Sequence, residues 1–394
     1  SPELYLRRPV KGNQGFRIDR MLKSCAEKGI KIFIVIYRNV GNIVGTDSLW
    51  TKHSMLNLHP NIHIIRSPNQ WLQNTYFWAH HEKFVVIDET FAFIGGTDLC
   101  YGRYDTFEHV LESLLDQNFP GKDYSNARIA DFHDLDKPFE SMYDRKVIPR
   151  MPWHDVQMMT LGEPARDLAR HFVQRWNYLL RAKRPSRLTP LLTPPSDLTA
   201  EELKSLPMFE ILREKSTCET QILRSAGNWS LGLKETECSI QNAYLKLIEQ
   251  SEHFIYIENQ FFITSTVWNG TCVLNKIGDA LVDRIVKANQ EKKPWKAFIL
   301  IPLMPGFDSP VDTAEASSLR LIMQFQYQSI SRGEHSIFSK LKKLNIDPAQ
   351  YIQFFSLRKW STFAPNERLI TEQLYVHAKI LIADDRRCII GSAN

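Results

Sequence analysis

Two tripeptides near opposite ends of the chain, His81-Glu82-Lys83 and His377-Ala378-Lys379, constrain it more than any other feature. Each opens an H-x-K-x4-D run, closing on Asp88 or Asp384. A glycine-rich turn follows each in the same register, so that Gly95-Gly96 matches Gly391-Ser392 and Asp98 matches Asn394. One such match arises by chance in roughly a few per cent of chains this long, and a second in the same register lowers coincidence to roughly one in a thousand or less. The flanks agree as well. The apolar run Tyr76 to Ile87, the polar turn Asp88-Glu89-Thr90 and the return strand Phe91 to Ile94 correspond to Leu374 to Ala383, Asp384 to Arg387 and Cys388 to Ile390. Strand alternation puts residues i and i+2 on one face, so each motif is expected to set an imidazole beside an ammonium. His80 then faces the other way, as a packing or surface histidine.

A lysine in an apolar strand is costly to bury without an anionic partner, and Lys83 and Lys379 together ask for a shared anion such as phosphate. Two histidines and two lysines on one phosphate permit a two-step displacement. One neutral imidazole attacks phosphorus while the other gives its proton to the leaving oxygen, and water then releases the product. The lysines and the N–H groups of the glycine turns would stabilise the transition-state oxygens, and no metal is required. Taken alone, either motif reads better as a core histidine with a snorkelling lysine; the duplication reverses that. Asp88 and Asp384 are candidate catalytic carboxylates with a competing reading as turn residues. Asp98 and Asn394, beside Gly96 and Ser392, are placed to hold the phosphate, Asp98 alternatively to pair with Lys83.

The chain alternates helix and strand in both halves. In the first, an amphipathic stretch Phe16 to Lys28, an apolar run Ile30 to Tyr37, a helix Ser48 to Leu58 and a strand Ile62 to Ile65 are expected. In the second, helix Asn242 to Gln250, strand Phe254 to Ile263, helix Val273 to Ala288 and strand Ala297 to Ile301 repeat the pattern. Between them Pro185 to Pro207 is rich in Pro, Ser and Thr, with Thr199-x-x-Glu202 as a capping box. The expected organisation is residues 1–184, a linker 185–222, and residues 223–394. With 394 residues the chain is long enough to bury two cores. Its apolar content is 43%, but no window reaches the roughly 18 to 20 consecutive apolar residues of a membrane span, so membrane contact is expected to be peripheral. The net charge of +5 is no more than a solvated surface with a slight basic excess needs. Six cysteines without paired spacing suit a reducing cytosol, and the start lacks the marks of a signal peptide. The lack of an initiator Met, and an end within a strand's exit turn, read as a piece cut from a longer protein.

Paired H-x-K-x4-D motifs followed by G-G-x-D and G-S-x-N resemble the phospholipase D superfamily. Ser1 to Leu6, Phe119 to Asn126, Met151 to Asp155 and Ile255 to Phe262 resemble blocks of its eukaryotic phosphatidylcholine-hydrolysing branch, and the phrase around His377 resembles the yeast sporulation members. The resemblance implies two similar α/β/α lobes, with mixed sheets flanked by helices and one active site at their interface. It implies hydrolysis of phosphatidylcholine to phosphatidic acid and choline, with His81 as nucleophile and His377 as general acid. Activation by phosphatidylinositol 4,5-bisphosphate follows from it too, with Arg181, Lys183, Arg184 and Arg187 as the candidate contact, against a solvated linker. Glu258 is a further supporting candidate. In the family a carboxylate beyond G-S-x-N orients the second histidine; here it would fall after Asn394, and Asp105 is the candidate orienter of His81. The expected partners are a phospholipid surface, phosphatidylcholine and a phosphoinositide, at a cytoplasmic, peripheral location. Nucleases share the duplicated motif, but a nucleic-acid enzyme would show a stronger basic excess. A silent acidic-lipid-binding module would usually have lost a catalytic side chain, and both His-Lys pairs are intact.

Overall fold

The computed structural model describes residues 1–38, 47–67, 79–113, 117–130, 132–182, 188–206, 209–210, 218–306, 317–363 and 367–394. It is a mixed α/β structure. The first half holds a parallel strand pair, Ile32–Tyr37 with Ile62–Ser67, flanked by helices Ile18–Glu27 and Ser48–Leu56. The second of these helices starts where Asp47 caps the N–H groups of Leu49 and Trp50. Strands Phe84–Ile87, Phe91–Gly95 and Gln157–Leu161 form an antiparallel sheet. The long helix Glu163–Ala182 covers both: Trp176 and Leu179 pack with Ile65, while Ala165 and Leu168 pack with Ala92. One amphipathic helix therefore ties the first motif's hairpin to the parallel pair.

The second half is organised on a five-stranded sheet. Strands Ile352–Phe355, Lys296–Leu300 and Phe254–Glu258 run parallel, and the second motif's hairpin, Ile380–Ala383 with Arg387–Ile390, adds antiparallel to Phe254–Glu258. Ile255, Ile257, Ala297, Ile299, Leu381 and Ala383 share one face by strand alternation. They are buried with Ile248, Leu281, Ile285 and Leu341, which come from helices Ser239–Gln250, Ile277–Glu291 and Ile337–Lys343.

Several expected elements have different bounds. The helix expected from Val273 begins at Ile277, because Val273 ends a short hairpin strand, Thr271–Val273, and Asn275 caps the Ile277 N–H. The strand expected from Phe254 to Ile263 stops at Glu258. The strand expected from Leu374 to Ala383 is broken into Tyr375–Val376 and Ile380–Ala383, because the N–H groups of His377 and Ala378 donate to the His154 carbonyl, at 2.8 and 3.2 Å. In the first motif the strand likewise begins only at Phe84, after Lys83. Both His-x-Lys triplets thus lie in extended chain just before a strand rather than within one. Tyr76 to Trp78 of the expected first-motif strand lie outside the described residues, as do parts of the Pro/Ser/Thr-rich stretch. Within that stretch Thr199 caps helix Ala200–Ser205 in a full capping box with Glu202.

Candidate active site

The two hairpins are built alike. In each, the residue at the motif aspartate and the one after it have positive φ: Asp88 at 49° and Glu89 at 54°, Asp384 at 53° and Asp385 at 55°. Tight hairpin turns require this, and aspartate tolerates it better than most residues. The turn also sets each aspartate at the far end of a four-residue strand from its histidine, seven residues or roughly 23 Å away along the chain. Asp384 accepts the backbone N–H groups of Glu252, His253 and Phe254 at 2.7 to 2.8 Å, pinning the entry of the neighbouring strand. Although partial burial works to raise its pKa, those three donors hold it below the usual carboxylate range. Asp88 is exposed in its turn. Of the two readings weighed for Asp88 and Asp384, catalytic carboxylate or turn residue, this placement in the hairpin turns supports the turn reading.

The other ends of the hairpins meet. The rings of His81 and His377 lie 6.4 Å apart, centre to centre. Each lysine folds back onto the carbonyl of its own histidine: Lys83 donates to His81 at 2.8 Å and Lys379 to His377 at 2.5 Å. Lys83 also pairs with Asp98 at 3.2 Å, and Lys379 donates to the Gln260 side chain at 3.2 Å. The glycine turns cross over. Ser392, from the second motif's turn, takes the His81 Nδ1–H on its carbonyl at 2.9 Å. Gly96, from the first motif's turn, lies against the second histidine, where an added Cβ would overlap an Asp155 carboxylate oxygen and sit 2.8 Å from the His377 carbonyl. Asn394 is exposed at the end of its turn.

His377 is oriented by Asp155, whose carboxylate stands 2.8 Å from Nδ1. This carboxylate lies within the chain, whereas the sequence reading looked for the orienter of this histidine beyond Asn394. Asp155 follows strand Trp153–His154, which pairs in parallel with Tyr375–Val376 just before His377. Two short strands from opposite halves thus deliver an acid and its histidine side by side. Asp105 does not reach His81. Its carboxylate binds Arg150 at 3.1 Å, His109 at 3.2 Å and the Trp153 N–H at 2.8 Å, anchoring the strand that carries Asp155. Both Glu258 oxygens are taken, by Tyr256 at 2.6 Å and His154 at 2.7 Å, so Glu258 braces the wall beside the site. His80 faces away as expected, pairing at 3.0 Å with Glu82, which also meets His171. Arg181 is exposed at the end of helix Glu163–Ala182, while Lys183, Arg184 and Arg187 lie outside the described residues.

Burial, then Lys83, pushes the His81 imidazole down to about 4, so it is neutral at pH 7. A carbonyl can only accept, so His81 carries its proton on Nδ1 and presents a lone pair at Nε2. Burial and the cations Lys379 and Arg103 likewise push His377 down. Against them stands the Asp155 carboxylate, the contact that would stabilise an imidazolium there. Burial lowers both lysines as well, Lys83 against the pull of Asp98 and Lys379 against that of Asp155. The site is thus a desolvated pair of imidazoles between cations, an arrangement that an incoming phosphate would satisfy. Among the described residues no group of three or more His, Cys, Asp or Glu is placed to hold a metal ion, and no helix is long and apolar enough to cross a membrane.

The family model described as Phospholipase D matches residues 4–394. Over its whole length the chain is 99% identical to Phospholipase D1 of Saccharomyces cerevisiae, of which it covers 24%. It is 54% identical to Phospholipase D1 of Schizosaccharomyces pombe, covering 29% of that protein, and 40% identical to Phospholipase D2 of Bos taurus, covering 44%. The chain therefore spans less than half the length of these curated relatives.

Proposed function

Because this chain belongs to the phospholipase D family, we propose that it hydrolyses phosphatidylcholine to phosphatidic acid and choline through a phosphohistidine on His81. The lone pair at His81 Nε2 attacks phosphorus, the bond from phosphorus to the choline oxygen breaks, and His377 gives its Nε2 proton to that oxygen. His377, now neutral, takes a proton from water. The water oxygen attacks phosphorus, the phosphorus–nitrogen bond breaks, and phosphatidic acid leaves with His81 restored. A primary alcohol in place of water yields a phosphatidylalcohol.

The observation that carries this reading is the unequal support of the two facing imidazoles. His81 Nδ1 donates to a neutral carbonyl, which leaves a nucleophilic Nε2. His377 Nδ1 faces a carboxylate, which favours the protonated form a general acid needs. The same reading takes the two motif-bearing halves, 1–184 and 223–394, as duplicated lobes with the site between them. It extends to a peripheral cytoplasmic location and phosphoinositide activation, with exposed Arg181 as one contact. Supplying the intact protein with phosphatidylcholine and a short primary alcohol tests it. Phosphatidylalcohol formed at the expense of phosphatidic acid is the expected result; cleavage of nucleic acid with no lipid product would overturn it.

A further inference from the structure

The phosphate donors of the site are unevenly spent. Lys83 has three N–H groups and gives them to the His81 carbonyl and Asp98; Lys379 gives its own to the His377 carbonyl and Gln260. Each lysine keeps about one donor for a ligand. Arg103 differs. Its guanidinium lies 4.0 Å over the Trp153 ring, and its nearest carboxylate oxygen, on Asp98, is 3.8 Å from Nε, beyond hydrogen-bond range. Nε is buried with no partner, and the side chain keeps 22% of its surface exposed. Among the described residues no hydrogen bond satisfies any of its five N–H groups.

Trp153 fixes the position of this fork. Its ring is 4.9 Å from the His377 ring, and its indole N–H donates to Asp155 at 3.3 Å. Arg103 therefore stands one ring away from the second histidine, close enough for its charge to depress both His377 and Lys379. A planar guanidinium can also engage two oxygens at once, which a folded-back lysine cannot.

We propose that Arg103 is the principal clamp on the non-bridging oxygens of the substrate phosphate, with Lys83 and Lys379 each adding one donor. The inference rests on the phosphodiesterase reading above and deepens it by naming the group that binds the reacting phosphate. A purely structural Arg103, serving only to neutralise Asp98, would leave phosphate affinity unmoved.

The test compares Arg103→Gln and Arg103→Lys with the parent in the intact protein. Hydrolysis of monomeric short-chain phosphatidylcholine is measured beside the binding of inorganic phosphate, followed by phosphorus NMR. Arg103→Gln should lose on the order of 10- to 100-fold in kcat/KM and about tenfold or more in phosphate affinity. Arg103→Lys, keeping the charge but not the fork, should recover part of both. Parent-like values for Arg103→Gln in both assays would overturn the proposal. If that variant does not fold, Arg103→Lys decides: a loss in both assays is expected, and parent-like values overturn it. A parent that binds phosphate through Arg103 yet leaves phosphatidylcholine intact would refute the lipid reading and keep the clamp. A parent that hydrolyses phosphatidylcholine with no dependence on Arg103 would do the reverse.

Discussion

At the scale of single residues, the two histidines are distinguished by what meets Nδ1. His81 donates to Ser392, a neutral acceptor, and His377 faces Asp155, a charged one. His377→Asn should therefore cut turnover of phosphatidylcholine by about 10²- to 10⁴-fold, the usual worth of a positioned acid. On a phosphatidyl ester of p-nitrophenol, whose leaving group needs no proton, most of that loss should disappear from the first step. His81→Asn should be inactive on both substrates, and equal losses for the two variants on the p-nitrophenyl ester would contradict the assignment. Asp155→Asn should resemble a milder His377→Asn, again relieved by the better leaving group. The motif aspartates should behave otherwise. Asp384→Ala exposes three backbone donors and should cost about 1–2 kcal/mol of stability by denaturant titration while leaving turnover per folded molecule intact. Asp88→Asn should change neither.

At the scale of elements, the two hairpins share a sequence pattern but not a packing environment, and their glycines expose the difference. Gly96 is pressed against Asp155 and the His377 carbonyl, whereas a Cβ on Gly391 would meet nothing within 4 Å. Gly96→Ala should thus lose roughly 1–3 kcal/mol of stability through overpacking, together with most activity as His377 is displaced. Gly391→Ala should stay within about 0.5 kcal/mol of the parent. Paired melting curves and activity assays check both, and a Gly96→Ala enzyme of normal activity would mean that the two motifs are not in contact. The same contrast marks what could be read beforehand. The hairpins, the parallel strands Ile32–Tyr37, Ile62–Ser67, Phe254–Glu258 and Lys296–Leu300 and the helices beside them follow from local periodicity, and so were legible, whereas strand Ile352–Phe355 and the amphipathic helix Glu163–Ala182 were not singled out. The pairing of Trp153–His154 with Tyr375–Val376 involves two residues on each side, too short for any periodicity, yet it brings Asp155 to His377 and breaks the expected strand at the motif. Asp155 stood inside the family block Met151 to Asp155, and that was the only signal for it. Alternation over His81 and Lys83 pointed to the right neighbours for the wrong reason, since the triplets precede their strands.

At the scale of the whole molecule, the site makes stability depend on pH. His80, His81 and His377 are all pushed down, chiefly by burial, His81 from 6.5 to about 4. A group whose folded pKa lies below its unfolded one is protonated first in the unfolded chain. The stability tied to it is whole above about pH 6.5 and is lost as pH falls through the folded value. Over that window His81 alone accounts for on the order of 3 kcal/mol. His154, raised chiefly by its hydrogen bond to Glu258, works in the opposite sense: its contribution is complete below the unfolded value of about 6.5 and is lost as pH rises through its higher folded value. That change lies above the window of the three depressed histidines, so the melting temperature should drop between pH 6.5 and pH 4.5, with protons taken up on unfolding. This window lies above most of the range where the depressed carboxylates Asp98, Glu258 and Glu372 begin to contribute. Calorimetry in buffers of different ionisation enthalpy counts those protons directly. Inorganic phosphate should flatten the drop, because an anion between the rings favours the imidazolium in the folded state and brings the folded pKa values back toward 6.5. A melting temperature constant from pH 7 to pH 5 would show that the imidazoles are not held neutral by burial. A drop that phosphate leaves unchanged would show that the anion does not sit between them.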